Sequence, residues 1–164
     1  MQIRNNNNIG FTASMIRDKS VRGAQWNGIA SEVERQTKTS PEYEIRLFQE
    51  NDKFEVYIDR GRSDELTTRS FILSEAGSNT LSNMPEAKIV QKFKKMLNLV
   101  KAHDKALDNL PDDIAKLEKK YDIQFNQNTY DNIADTVYET IRERAVDKIW
   151  NDPVLADAKA SVLS

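Results

Sequence analysis

The chain has 164 residues, enough for one domain with a real core and no help from disulfides or metal. Lys and Arg number 24 against 26 Asp and Glu, so net charge does not drive it onto DNA or a membrane surface. With no cysteine and a single histidine, His103, it has no thiol nucleophile, iron–sulfur cluster, thiolate zinc site or His-rich metal site.

Residues 1–8 are polar and asparagine-rich and are expected to form a flexible tail. They lack the apolar core of a secretory signal, and no window approaches the length of a membrane span; the expected location is cytoplasmic. From Ile9 the sequence alternates, with Ile9, Phe11, Ala13 and Met15 on one face of a strand. Asp18 or Ser20 then caps a helix whose stripe is Trp26, Ile29, Ala30 and Val33. Pro41 opens a strand with Tyr43, Ile45 and Leu47 facing inward. Asn51-Asp52 suits a two-residue turn that returns Phe54, Val56 and Ile58 to the same face. That register pairs Leu47 with Val56 and Ile45 with Ile58. A third strand of this set covers residues 66–73.

Residues 74–83 read as a loop. Asn83, Pro85 and Glu86 mark the start of a long helix with Ile89, Phe93, Met96, Val100 and Leu107 on one stripe. Asn109-Leu110-Pro111 is expected to break it. A short helix then carries Ile114, Leu117 and Tyr121. A longer one, capped near Asn128 or Thr129, carries Ile133, Val137, Ile141 and Ala145. Asp152-Pro153 signals a last short helix.

The expected fold is α+β: a mostly antiparallel four-stranded sheet in the order β-α-β-β-β-α, packed by two helices, with a C-terminal helical lobe. The expected divisions are a tail at 1–8, an α+β domain at 9–110, and a helical extension at 111–164 packed on the long helix. Residues 20–105 share the order helix, three strands, helix with the double-stranded RNA-binding domain. The histidine loop and the early lysines of that family are missing here: the strand loop is Asn51-Asp52, and the first lysine of the last helix is Lys88. The similarity is one of element order, and no family follows from it.

Three features could carry recognition. On the outer face of the central hairpin, Arg46 lies opposite Tyr57 and Phe48 lies diagonal to it. This resembles a stacking platform for bases or a peptide, or equally a face that the C-terminal helices cover. Arg60-Gly61-Arg62 is a turn whose arginines suit a phosphate or carboxylate, though a plain hairpin loop accounts for it too. Lys88, Lys92 and Lys95 form a ridge on the long helix, in a stretch (85–105) with a net charge of +4. Such a ridge meets phosphates or is simply solvated. An acidic series, Asp131, Asp135, Glu139, Glu143 and Asp147, runs along the fourth predicted helix and places no cluster of oxygens on one point. Basic and acidic helices are expected to pair, within one chain or across a symmetric dimer.

His103 lies near the apolar stripe and reads as structural, with no partner that would make it a base. No Walker loop, nucleophile elbow or dinucleotide fingerprint is present. No catalytic residue and no cofactor is therefore expected. The functional expectation is a binding or accessory protein acting through contacts with another protein or with itself. The alternative is a nucleic-acid-binding module using Arg46, Phe48, Tyr57, Arg60, Arg62 and the lysine ridge.

Overall fold

The structure, a computed structural model, describes residues 14–37, 40, 42–61, 66–150, 152 and 154. The chain-order elements are β1 (Ser14–Arg17), α1 (Gln25–Gln36), β2 (Tyr43–Glu50), β3 (Lys53–Gly61), β4 (Leu66–Ile72), α2 (Glu75–Ser82), α3 (Glu86–Tyr121) and α4 (Gln127–Trp150). The fold is α+β, with one four-stranded sheet in the order β1-β2-β3-β4 and four helices among the described residues.

The β2–β3 hairpin follows from its alternation and its turn. Asn51 and Asp52 have φ of 49° and 62°, the left-handed pair that a two-residue turn between twisted strands requires. Ile45 then pairs with Ile58 and Leu47 with Val56, and all four are buried. β4 continues the antiparallel ladder, with Phe71 opposite Val56. The sheet as a whole is nevertheless mixed rather than mostly antiparallel, because β1 runs parallel to β2. Parallel neighbours need a crossover of a dozen or more residues, and the stretch containing α1 supplies it. The helix between the two strands was itself the signal for parallel pairing. The edge of β1 is covered: Met15 N–H donates to Glu34 Oε1 of α1 at 2.8 Å.

α1 and α3 pack on the face formed by Met15, Tyr43, Ile45, Leu47, Val56, Ile58 and Phe71. Trp26 of α1 sits between Phe54 and Phe93, with ring centroids 5.0 and 6.3 Å away. α1 starts later than its expected cap. Asp18 Oδ1 instead accepts from Ser20 N–H in the preceding turn, and Ala24 precedes the first helical residue without a side-chain cap.

The element order expected after β4 is only partly met. The polar stretch after Leu73 is a helix, α2, because Ser74 Oγ accepts from Gly77 N–H at 3.0 Å and caps its first turn. Gly77 also admits the backbone of residue 154: a Cβ there would lie 3.2 Å from the Val154 carbonyl oxygen.

α3 does not stop at Pro111; it runs unbroken for 36 residues, so the short helix expected after Pro111 is its last part. An interior proline removes one helical hydrogen bond and costs about 3 kcal/mol. Burial of Leu110 and Ile114 on either side of it offsets that cost. The helix ends where Asp122 turns left-handed, φ 50°, and Ile123 N–H bonds Glu118 O.

α4 is capped by Asn126, whose Oδ1 accepts from Thr129 N–H at 2.8 Å, rather than by Asn128 or Thr129. It packs beside α3 within the same chain, and His103 meets the Tyr138 ring edge-on at 5.3 Å. The 1–8 tail, Ile9, Phe11, Ala13, Pro41, Pro153 and the last predicted helix lie outside the described residues, as do the side chains of Ile141 and Ala145.

Candidate functional site

Outward-facing side chains of the sheet form three rows across the strands. One row is Ser14, Glu44, Asp59 and Thr68; the next is Ile16, Arg46, Tyr57 and Ser70; the third is Phe48, Glu55 and Ile72. The described helices leave this face open. Ile16 and Ile72 are 49% and 45% exposed, and Arg46, Phe48 and Tyr57 are half-buried against one another.

Arg46, Phe48 and Tyr57 come together as their register requires. The Arg46 guanidinium lies 5.8 Å from the Phe48 ring centroid and 5.4 Å from that of Tyr57. The two rings meet edge-on at 5.5 Å. The arginine charge is already matched. Its Nε and Nη2 donate to the two oxygens of Asp59 at 2.7 and 3.3 Å, and Thr68 Oγ1 donates to the same carboxylate at 2.7 Å. That bond to Asp59 raises the Arg46 pKa further and fixes its charge. Tyr57 donates to Glu55 Oε2 at 2.8 Å, and this bond, with burial, raises the phenol pKa.

Beside these rings is a hollow of about 510 Å³. Phe48 and Tyr57 form its apolar wall, and three carboxylates, Asp18, Glu50 and Glu55, share its rim with Arg46. The surface is thus aromatic in its wall and acidic at its edge.

The remaining predicted site residues lie elsewhere. Arg60 is on the inner face, at the end of the sheet where apolar rows give way to Tyr43, Arg60 and Arg69. It bonds Asp108 at 2.6 Å, approaches Glu42 at 3.4 Å and Asp104 at 3.9 Å, and covers the Tyr43 ring. Arg62 lies outside the described residues. Lys88, Lys92 and Lys95 are on α3, which packs on the inner face, so the ridge and the stacking group occupy opposite sides of the sheet. Lys92 and Lys95 both donate to Asp152 Oδ2, at 2.6 and 2.9 Å. Burial acts to raise the Asp152 carboxyl, but the two lysines and the Val154 N–H outweigh it and hold it at about 2.

Sequence reasoning missed the buried group around Asp104. Tyr43 O–H donates to Asp104 Oδ2 at 2.9 Å, and Arg69 Nη2 lies 3.5 Å from both Asp104 Oδ1 and His103 Nδ1. Burial disfavours the charged carboxylate, yet its contacts with His103 and Tyr43 and the charges of Arg69 and Arg60 keep its pKa below the usual value. Burial and the bond to Asp104 push the Tyr43 phenol well above its ordinary range. The signal was an acid four residues after Val100, on the buried side of the helix. These groups tie α3 to β2, β3 and β4, and both His103 and Asp104 are buried, although the buried Nε of Arg60 finds no hydrogen-bond partner among the described residues.

Among the described residues, no group of three or more His, Cys, Asp and Glu side chains is placed to hold a metal, and no helix is long and apolar enough to cross a membrane. No protein-family model, no curated protein and no solved structure matches the chain.

Proposed function

We propose that this chain is a binding or accessory protein whose outer sheet face takes a basic, partly apolar segment of another protein. The observation that carries this reading is the hollow beside Phe48 and Tyr57: an aromatic wall, three rim carboxylates, and one arginine already neutralised by Asp59. A lysine or arginine of a partner would stack on the rings and meet Asp18, Glu50 or Glu55. Ile16 and Ile72 extend the surface on either side for apolar contacts. A phosphate at the same place would face the carboxylates, and Arg46, the cation that lines the hollow among the described residues, is already paired with Asp59. That weighs against the nucleic-acid alternative on this face; on the opposite side of the sheet, the pairing of Lys92 and Lys95 with Asp152 weighs against the lysine ridge as a phosphate site.

The test uses a fluorescent arginine-rich peptide and a fluorescent single-stranded oligonucleotide at low salt. Anisotropy should report peptide binding that Glu50→Lys with Glu55→Lys abolishes and that Phe48→Ser weakens. Oligonucleotide binding should be absent. Oligonucleotide binding that weakens in Arg46→Ala, with no peptide binding, would overturn the reading in favour of the alternative.

A further inference from the structure

We propose that the groove between α3 and α4 seats a second copy of this chain, antiparallel, about a two-fold axis through Asn109. This inference is independent of the sheet face. Beyond Asp108, the last residue of α3 bonded to Arg60, α3 is accompanied by α4. The two helices leave a groove of about 600 Å³ between them. The α3 wall carries Ala102, Ala106, Leu110, Ile114 and Leu117, one stripe at helical spacing that spans on the order of 22 Å. α4 contributes Ile133 and Val137, with the polar Thr136, Thr140 and Arg144 beside them. Apolar surface continues to the tip, where Leu117, Tyr121 and Ile123 are 41%, 60% and 48% exposed. Leu110 and Ile114, on the floor of the groove, are buried between the two helices, but Ala102 and Leu117 at its ends stay exposed among the described residues; a second hairpin would cover them, as in a four-helix bundle.

Two properties of the groove favour its own copy as the occupant. The first is size. On the α3 wall the half nearer the sheet has the small Ala102 and Ala106, and the half nearer the tip has the larger Leu117, exposed beside the buried Ile114. A two-fold through Asn109 lays the small half of each copy against the large half of the other. The second is charge. Lys105 and Asp113 lie on the rim, four residues to either side of Asn109. Both are exposed, and neither forms an ion pair among the described residues. The same axis sets Lys105 of each copy opposite Asp113 of the other. A groove for an unrelated helix has no need of this inversion, while an isologous interface requires it.

The chain has no cysteine, so one introduced thiol reports the axis directly. Asn109→Cys places a thiol beside its own copy. Mild oxidation should convert it to a disulfide dimer, while Ser82→Cys, exposed on α2, stays monomeric under the same conditions. Lys105→Glu and Asp113→Lys should each raise the dimer dissociation constant roughly tenfold, because two symmetry-related pairs are lost together. The double variant should regain most of the affinity. Circular dichroism checks that these exposed substitutions leave the fold intact. A monomer in sedimentation equilibrium at about 100 µM would overturn the proposal. So would a dimer that ignores the charge swaps and cross-links no faster through Asn109→Cys than through Ser82→Cys.

Discussion

Asp152→Asn should destabilise the chain by about 1.5–2.5 kcal/mol at pH 7. Asp152 is 2% exposed and, among the described residues, accepts hydrogen bonds from Lys92, Lys95 and the Val154 backbone. Its carboxyl falls from an ordinary 3.8 to about 2 in the folded chain. That difference is worth roughly 2.5 kcal/mol, at 1.36 kcal/mol per unit. The Lys95 side chain is 41% exposed, so water screens one of the two pairs and sets the lower bound. The sign follows from the depressed value: the stabilisation is fully present above the unfolded pKa and disappears as pH falls through the folded one. The gap between wild type and variant should be complete above about pH 5, fall to about half by pH 3, and close below pH 2. Urea unfolding followed by tryptophan fluorescence at several pH values measures it. A gap under about 0.5 kcal/mol at pH 7, or one that pH does not change, would refute the claim that this carboxylate pins the chain after α4 to α3.

Leu47→Ala should cost on the order of 2–5 kcal/mol in the same assay, since Leu47 is fully buried between the sheet and its helices; a loss below about 0.5 kcal/mol would mean the strand register is wrong. Tyr43→Phe should cost about 1–3 kcal/mol, because Asp104 loses a buried donor; an unchanged unfolding midpoint would show that the phenol is dispensable. Pro111→Ala should stabilise the chain by about 1–3 kcal/mol by restoring a helical hydrogen bond; a destabilised variant would mean the packing of α4 depends on the proline.

The β2–β3 hairpin was legible in the sequence because its signals are local. Side chains alternate with period two, and Asn51-Asp52 supplies the positive φ, so one register satisfies both. The stacking of Arg46 on Phe48 and Tyr57 followed from that register. What the sequence left open was whether the face is covered, since coverage depends on where distant helices pack. The expectation of a mostly antiparallel sheet missed the parallel pairing of β1 because alternation is blind to strand direction, which the intervening α1 decides. The continuation through Pro111 was missed because a local break signal is weighed against burial of Leu110 and Ile114, which depends on α4. The fate of the lysine ridge was equally non-local, set by an aspartate 57 residues beyond Lys95.

The open, acid-rimmed sheet face is tested most directly by oxidation footprinting with mass spectrometry. The chain is labelled by hydroxyl radicals alone and again in complex with the arginine-rich peptide. Phe48, Tyr57 and Ile72 should be oxidised in the free chain and protected in the complex, while Leu117 and Tyr121 at the far tip stay equally reactive in both. Unchanged labelling of Phe48 and Tyr57, with protection appearing elsewhere, would contradict the assignment of the outer face as the protein-binding surface.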